Sequence, residues 1–167
     1  MREGCVSRKI FDISPRAGGL TDPASIERTV EAAQEHYGQI DVLIDNAGMN
    51  IRKPALEVTW DDWNTVLDTN LRGASFVAQA VAKRMIPRGY GRIVNIGSLT
   101  SVFGFAGIAP YRASRGGIEQ LTMSLADEWG PTASPSTASR PAGSRPTILV
   151  DGGITTGATK ATVQDDA

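Results

Sequence analysis

Apolar positions follow two rhythms along this chain: short unbroken runs, and longer stretches where they return every three or four residues. Ile26, Val30 and Ala33 recur at helical spacing between Thr21-Asp22-Pro23 and Gly38. A polar cap, a proline in the first turn and a glycine past the end mark a helix. The run IDVLI at 40–44 predicts a short, buried parallel strand, and DNAGMN after it a loop. From Thr59 to Met85, Trp63, Val66, Leu67, Ala74, Val77 and Val81 form one apolar stripe. This predicts a long helix with Thr59 as cap, Asp61 and Asp62 in its first turn and Pro87 beyond its end. GRIVNIGS at 91–98 predicts the next strand, and a second helix runs from about Pro110 to Trp129 and stops at Gly130. TILVDGG at 147–153 predicts a last strand and turn, followed by an irregular tail.

Strands alternating with helices predict right-handed crossovers and a parallel sheet with helices on both faces. The fold class is α/β, a doubly wound parallel sheet. Ligands on such sheets bind beyond the carboxyl ends of the strands, where DNAG and GSLTS fall. Residues 1–19 carry neither alternation nor a helical stripe and form a poorly defined segment, with no strand expected ahead of RAGGLTD. Residues 20–130 form the α/β domain. Residues 131–146, PTASPSTASRPAGSRP, hold no apolar side chain larger than alanine and are expected to be disordered. Residues 147–167 hold the last strand and tail.

Composition narrows the function classes. With 167 residues, 41% hydrophobic and 21% charged, the chain has room for one soluble domain with a core. A net charge of -1 gives no electrostatic footprint for nucleic acid or an anionic membrane. Cys5 has no partner for an internal disulfide, no apolar run reaches membrane-spanning length, and the N-terminus lacks a signal-peptide core. A cytoplasmic location is expected. His36, at a helix end, has no second metal-type ligand nearby, so no metal site is expected.

The candidate chemistry lies at the strand ends. Asn70 falls inside the apolar stripe. It is read either as a satisfied core amide or as one holding a water or backbone carbonyl beneath an active site. Ser98 lies just past a strand, and Tyr111 follows thirteen residues later. Arg115, four residues after Tyr111, shares its helix face. Each alone suits a structural role. Together, a hydroxyl, a phenol and a fixed cation can polarise a carbonyl and deliver a proton. A nearby positive charge favours the phenolate of a tyrosine whose reference pKa is about 10.

NAG at 46–48, NLRG at 70–73, GRIVNIGS at 91–98 and YRASRGG at 111–117 together resemble the short-chain dehydrogenase/reductases. The likeness runs from about Leu20 to Gly130, with VDGG at 150–153 similar to the family's last strand. AGMNIRKP, GIAPY and GGITTGATKATV resemble the gluconate 5-dehydrogenase-like branch. The resemblance implies a Rossmann-like sheet, NAD or NADP as cofactor, and an alcohol or ketone substrate such as a sugar acid. It implies Tyr111 as general acid/base, Ser98 as hydrogen-bond donor to the substrate oxygen and Asn70 as holder of a relay water. Arg115 stands at the family's lysine position. Asn46, Ala47 and Gly48, with Tyr111 and Arg115, would adjoin the cofactor. The helices at 59–86 and 110–129 resemble those that pair between subunits, with Ala113, Ser114, Gly116 and Gly117 permitting close approach.

The departures matter as much. Arginine keeps the lysine's charge but not its compact ammonium or its ability to release a proton. Asp45 replaces the first asparagine of the usual NNAG, and Gly19 stands where an aspartate is usual. The family's opening strand, glycine-rich turn and helix find no counterpart, since RAGGLTD lacks G-x-x-x-G-x-G spacing. The sheet is therefore expected to be incomplete, lacking the first βαβ unit and the C-terminal substrate-loop region. Synonymous codons for Tyr-Gly-Ile-Thr-Val-Asn-Cys-Ile can be chosen that, read one base out of phase, give Thr-Ala-Ser-Pro-Ser-Thr-Ala-Ser, the run at 132–139. A shifted reading frame is the expected origin of 131–146, with a natural linker as the alternative. The expected activity is weak or absent, and a catalytically inactive binding module remains the second reading.

Overall fold

The computed structural model describes residues 10–13, 19–101, 103–130 and 147–150. The predicted segments 131–146 and 151–167 lie outside the described residues. Strand β1 (Ile10–Ile13) leads to α1 (Pro23–Tyr37), β2 (Val42–Asp45) and α2 (Trp60–Leu67). A π-helical segment (Asp68–Gly73) joins α2 to α3 (Ala74–Met85). Then come β3 (Arg92–Ile96), α4 (Ala109–Trp129) and β4 (Thr147–Val150).

The local signals act as expected at the helix ends. The Asp22 carboxylate accepts from Ala24 and Ser25 backbone N–H groups at 3.2 and 3.0 Å. Gly38, at φ 76, donates its N–H to Gln34 at 2.8 Å, a left-handed turn that a side chain would strain. Thr59 and Asp62 form a reciprocal capping box on α2. Val66, Asn70, Ala74, Val77 and Val81 are buried as the stripe predicts, but Trp63 is exposed.

The four strands are parallel and lie in chain order, β1-β2-β3-β4. β1 corrects the expectation that no strand precedes RAGGLTD: Ile10 pairs with Val42 and Ile13 with Asp45. A four-residue strand is too short to show a period, and its pairing is set by β2, about thirty residues away.

With this order, each right-handed crossover steps the same way across the sheet, so successive helices fall on one face. Contacts agree. Leu43 and Ile93 pack with Ile26 and Val30 of α1 and Val77 and Val81 of α3 in one core. Asn95, two residues from Ile93, donates to the Thr122 hydroxyl of α4 at 2.9 Å. The described helices cover one face, where both faces were expected to be covered. Among the described residues the second helical layer is absent, in keeping with an incomplete α/β fold.

Candidate active site at the carboxyl ends of β2 and β3

Two polar junctions hold the loops that leave β2 and β3. The first is Asn70, fully buried in the π segment. Its Oδ1 accepts from the Met49 N–H at 2.8 Å, and its Nδ2 donates to the Met49 carbonyl at 2.8 Å and to Ser114 Oγ at 3.0 Å. Ser114 in turn donates to the Tyr111 carbonyl at 2.7 Å. One amide therefore ties the loop after β2 to the turn of α4 that carries Tyr111. The π turn carries an extra residue relative to an α turn and shifts the helical phase where Asn70 enters. Asn70 is thus a satisfied buried amide, with the Met49 carbonyl among its partners.

The second junction is Arg115, 7% exposed. Its Nη1 donates to the Ile96 carbonyl at 3.0 Å and its Nη2 to the Ala47 carbonyl at 3.3 Å. The guanidinium thus bridges the carboxyl ends of two neighbouring strands. Its Nε is buried with no hydrogen-bond partner. The cation lies over the Tyr111 ring, 5.2 Å from the centroid, within cation–π range. Against this bridge Gly48 has no room for a side chain, because a Cβ there would run into the guanidinium.

The other predicted residues frame this bridge. Ala47 is buried, Gly48 and Tyr111 are half-buried, and Asn46 is exposed. Ser98, half-buried, lies two residues beyond Ile96, and its Oγ accepts from the Thr100 N–H and hydroxyl at 3.2 and 2.9 Å. Among the described residues no hydrogen bond joins Ser98 to Tyr111. Asp45, 5% exposed, accepts from the Ala47 N–H at 3.0 Å, one of the donors its carboxylate needs.

Sequence reading missed three supports. Met49 and Ser114 complete the Asn70 junction, and Thr100 holds Ser98; an amide in an apolar stripe signals that partners exist but not which. Lys53 is the third. Its Nζ meets Asp62 at 2.6 Å and its N–H donates to Gly107 at 3.0 Å, tying the same loop to α2 and to the approach to α4. The hydrogen bond from Lys53, helped by those from Thr59, lowers the Asp62 pKa from 3.8 to about 2.

A family model described as short chain dehydrogenase matches residues 6–139. The chain belongs to that family. It is 42% identical over 124 residues to a gluconate 5-dehydrogenase of Gluconobacter oxydans, covering 74% of this chain and 46% of that protein. A 3-oxoacyl-(acyl-carrier-protein) reductase of Salmonella typhimurium is 37% identical over 109 residues, 65% of this chain and 45% of that protein. The crystal structure of a gluconate 5-dehydrogenase from Burkholderia cenocepacia, in complex with NADP and tartrate, aligns with a TM-score of 0.65 at 36% identity. That alignment covers 68% of this chain and 45% of the other. The likeness confirms a Rossmann-like fold, and the chain spans about half the length of the curated relatives it matches.

Proposed function

We propose that this chain derives from an NAD(P)-dependent oxidoreductase that interconverts a secondary alcohol and a ketone, with a sugar acid such as gluconate as substrate. The observation that carries this reading is the convergence of Tyr111, Arg115, Ala47 and Gly48 at the carboxyl ends of β2 and β3, with Asn70 tying the loop after β2 to the turn of α4 that carries Tyr111. The matched gluconate 5-dehydrogenases support the substrate class.

The nicotinamide end of a cofactor fits this site: Ala47 and Gly48 present backbone with little side-chain bulk beside the phenol of Tyr111. The pyrophosphate end has no glycine-rich turn to receive it among the described residues. Asn46, Ala47, Gly48, Tyr111 and Arg115 would hold the nicotinamide end, and the bound cofactor would exchange a hydride with the substrate carbon. Tyr111 would pass a proton between its phenol oxygen and the substrate oxygen, and Ser98 would turn its hydroxyl from Thr100 toward that oxygen. Asn70 keeps the Tyr111 turn and the Met49 loop in register. Arg115 supplies positive charge, but its two terminal nitrogens are committed to backbone carbonyls. A guanidinium does not release a proton at working pH, so Arg115 cannot pass one as an ammonium can, and turnover is low. The test is NADPH oxidation with a 5-keto sugar acid. Activity that rises in Arg115→Lys and vanishes on adding Tyr111→Phe supports the reading; a Tyr111→Phe chain as active as its parent overturns it.

A second reading is an inactive binding module in the cytoplasm, and one surface bears on it. Leu67, Leu71, Phe76, Gly117 and Leu121 line a groove between the π segment and α4, with Asp68, Arg72 and Ser75 at the same groove. Phe76 is 46% exposed there. A homo-oligomer through 59–86 and 110–129 would cover it. The small residues expected to permit this are partly engaged within the chain. Ser114 binds Asn70, and a Cβ on Gly117 would stand 2.8 Å from Leu71. Gly116 remains open. A strictly monomeric chain at high concentration would remove this reading.

A further inference from the structure

We infer that Arg112 and Thr100 form a brace that sets the spacing of the Ser98 and Tyr111 hydroxyls, which makes both of them positioning residues for the reaction proposed above. The inference rests on the reading of Ser98 and Tyr111 as the reacting pair.

Two hydroxyls that act on one substrate oxygen must be held at a fixed separation. Ser98 and Tyr111 sit on separate elements, the turn beyond β3 and the first turn of α4, and no hydrogen bond joins them among the described residues. Their chain neighbours supply the link. Arg112, the residue after Tyr111, donates from Nε to the Thr100 carbonyl at 3.0 Å. Thr100, two residues after Ser98, donates its N–H and its hydroxyl to Ser98 Oγ at 3.2 and 2.9 Å.

Arg112 is not an ordinary solvated cation. It is half-buried, and among the described residues it pairs with no carboxylate. Its guanidinium lies along the loop it holds, since a Cβ on Gly104 would stand 3.8 Å from Nη1. A charged, planar donor on a backbone carbonyl makes a stronger and better directed bond than a neutral one. The far end of the loop is tied by the Lys53 N–H, which donates to the Gly107 carbonyl at 3.0 Å. Between the two ties Phe103 and Phe105 are more than half exposed, so packing does little to place this loop and the polar ties place it instead.

The brace also fixes which way Ser98 works. A hydroxyl oxygen has two acceptor sites and one hydrogen. Both acceptor sites of Ser98 Oγ are taken by Thr100, so the Ser98 hydrogen is what it has left to give to a substrate oxygen. The two arginines of this helix turn then divide the work. Arg115 binds the strand ends and covers the Tyr111 ring, and Arg112 reaches the turn that carries Ser98.

The test reads position 98 directly and needs no activity. Ser98→Cys in a Cys5→Ser background leaves the chain one thiol, and the pH profile of its alkylation by iodoacetamide gives the midpoint of thiolate formation. Donors from Thr100 favour the thiolate. Thr100→Val removes the hydroxyl donor and should raise the midpoint by about half a pH unit, and Thr100→Ser, which keeps the donor, should restore it. Arg112→Met keeps the stem but releases the Thr100 carbonyl. It should also raise the midpoint, and at least half of that rise should vanish in the Thr100→Val background. A midpoint unmoved by Thr100→Val or by Arg112→Met would overturn the brace. So would an Arg112→Met effect undiminished in the Thr100→Val background, since Arg112 would then act on position 98 only as a charge. With Ser98 in place, NADPH oxidation with a 5-keto sugar acid by the Arg115→Lys chain should lose at least fivefold in kcat on Arg112→Met, with KM changed less than twofold. Tyr111-dependent turnover that is indifferent to Arg112→Met would overturn the positioning role. If no turnover depends on Tyr111, the functional reading falls, and the thiol midpoints still decide the brace.

Discussion

Asn70 and Arg115 are both polar, both buried and both placed at the carboxyl ends of the strands, yet they meet burial differently. Asn70 uses its carbonyl once and its amide twice, and every bond joins elements far apart in sequence. Arg115 also spans distant elements, but it satisfies its charge with two carbonyl oxygens and leaves Nε unpartnered. An unmade bond on a buried charged group is costly. The first is a finished joint. The second is a large cation accommodated in a space whose nearest wall, Gly48, has no side chain to give way.

This contrast can be broken experimentally, beginning with the joint. Asn70→Ala would strand both backbone groups of Met49 and should lower unfolding stability by about 3 kcal/mol in a urea titration. A loss below about 1 kcal/mol would show that the joint is not needed. Gly48→Ala should cost about 2 kcal/mol by overpacking against the guanidinium, and in an Arg115→Lys background that cost should at least halve. A double-mutant cycle with no coupling would separate Gly48 from Arg115. Arg115→Met removes the charge and both carbonyl contacts while keeping the apolar stem; about 1 kcal/mol of net loss is expected by thermal unfolding, less than for Asn70→Ala.

The smallest effect lies outside the junctions, at Lys53 and Asp62. A carboxylate whose folded pKa is depressed stabilises the fold at pH above its unfolded value of 3.8, and loses that contribution as pH falls through about 2. The difference in thermal midpoint between the chain and Asp62→Asn should therefore be constant near neutrality and shrink between about pH 4 and pH 2. A difference unchanged across that window would mean the Lys53 contact is not made in solution.

How much of this could be read from the chain depended on range. Asp22, Pro23 and Gly38 bound α1 because caps are local, and the runs at 40–44 and 91–98 declare strands on their own, observed at Val42–Asp45 and Arg92–Ile96. Ile10–Ile13 does not, because four residues with an aspartate among them become a strand only through pairing with β2. Trp63 shares the spacing of the core stripe yet is exposed, because spacing does not tell which end of a stripe faces solvent. The π turn left no signal in composition. The positions of Asn70, Tyr111 and Arg115 were legible from their motifs. The carbonyls that hold Arg115 belong to residues 19 and 68 positions away, beyond the reach of local pattern. The one-sided helical layer follows from strand order, which spacing alone does not determine.

The most direct measurement compares NADPH-dependent reduction of a 5-keto sugar acid by the chain, by Arg115→Lys and by Arg115→Lys with Tyr111→Phe, after cofactor binding has been shown for each. The account predicts at least a tenfold rise with lysine and its loss with phenylalanine. A cofactor-bound Arg115→Lys chain no faster than its parent would contradict the claim that the committed guanidinium limits this site.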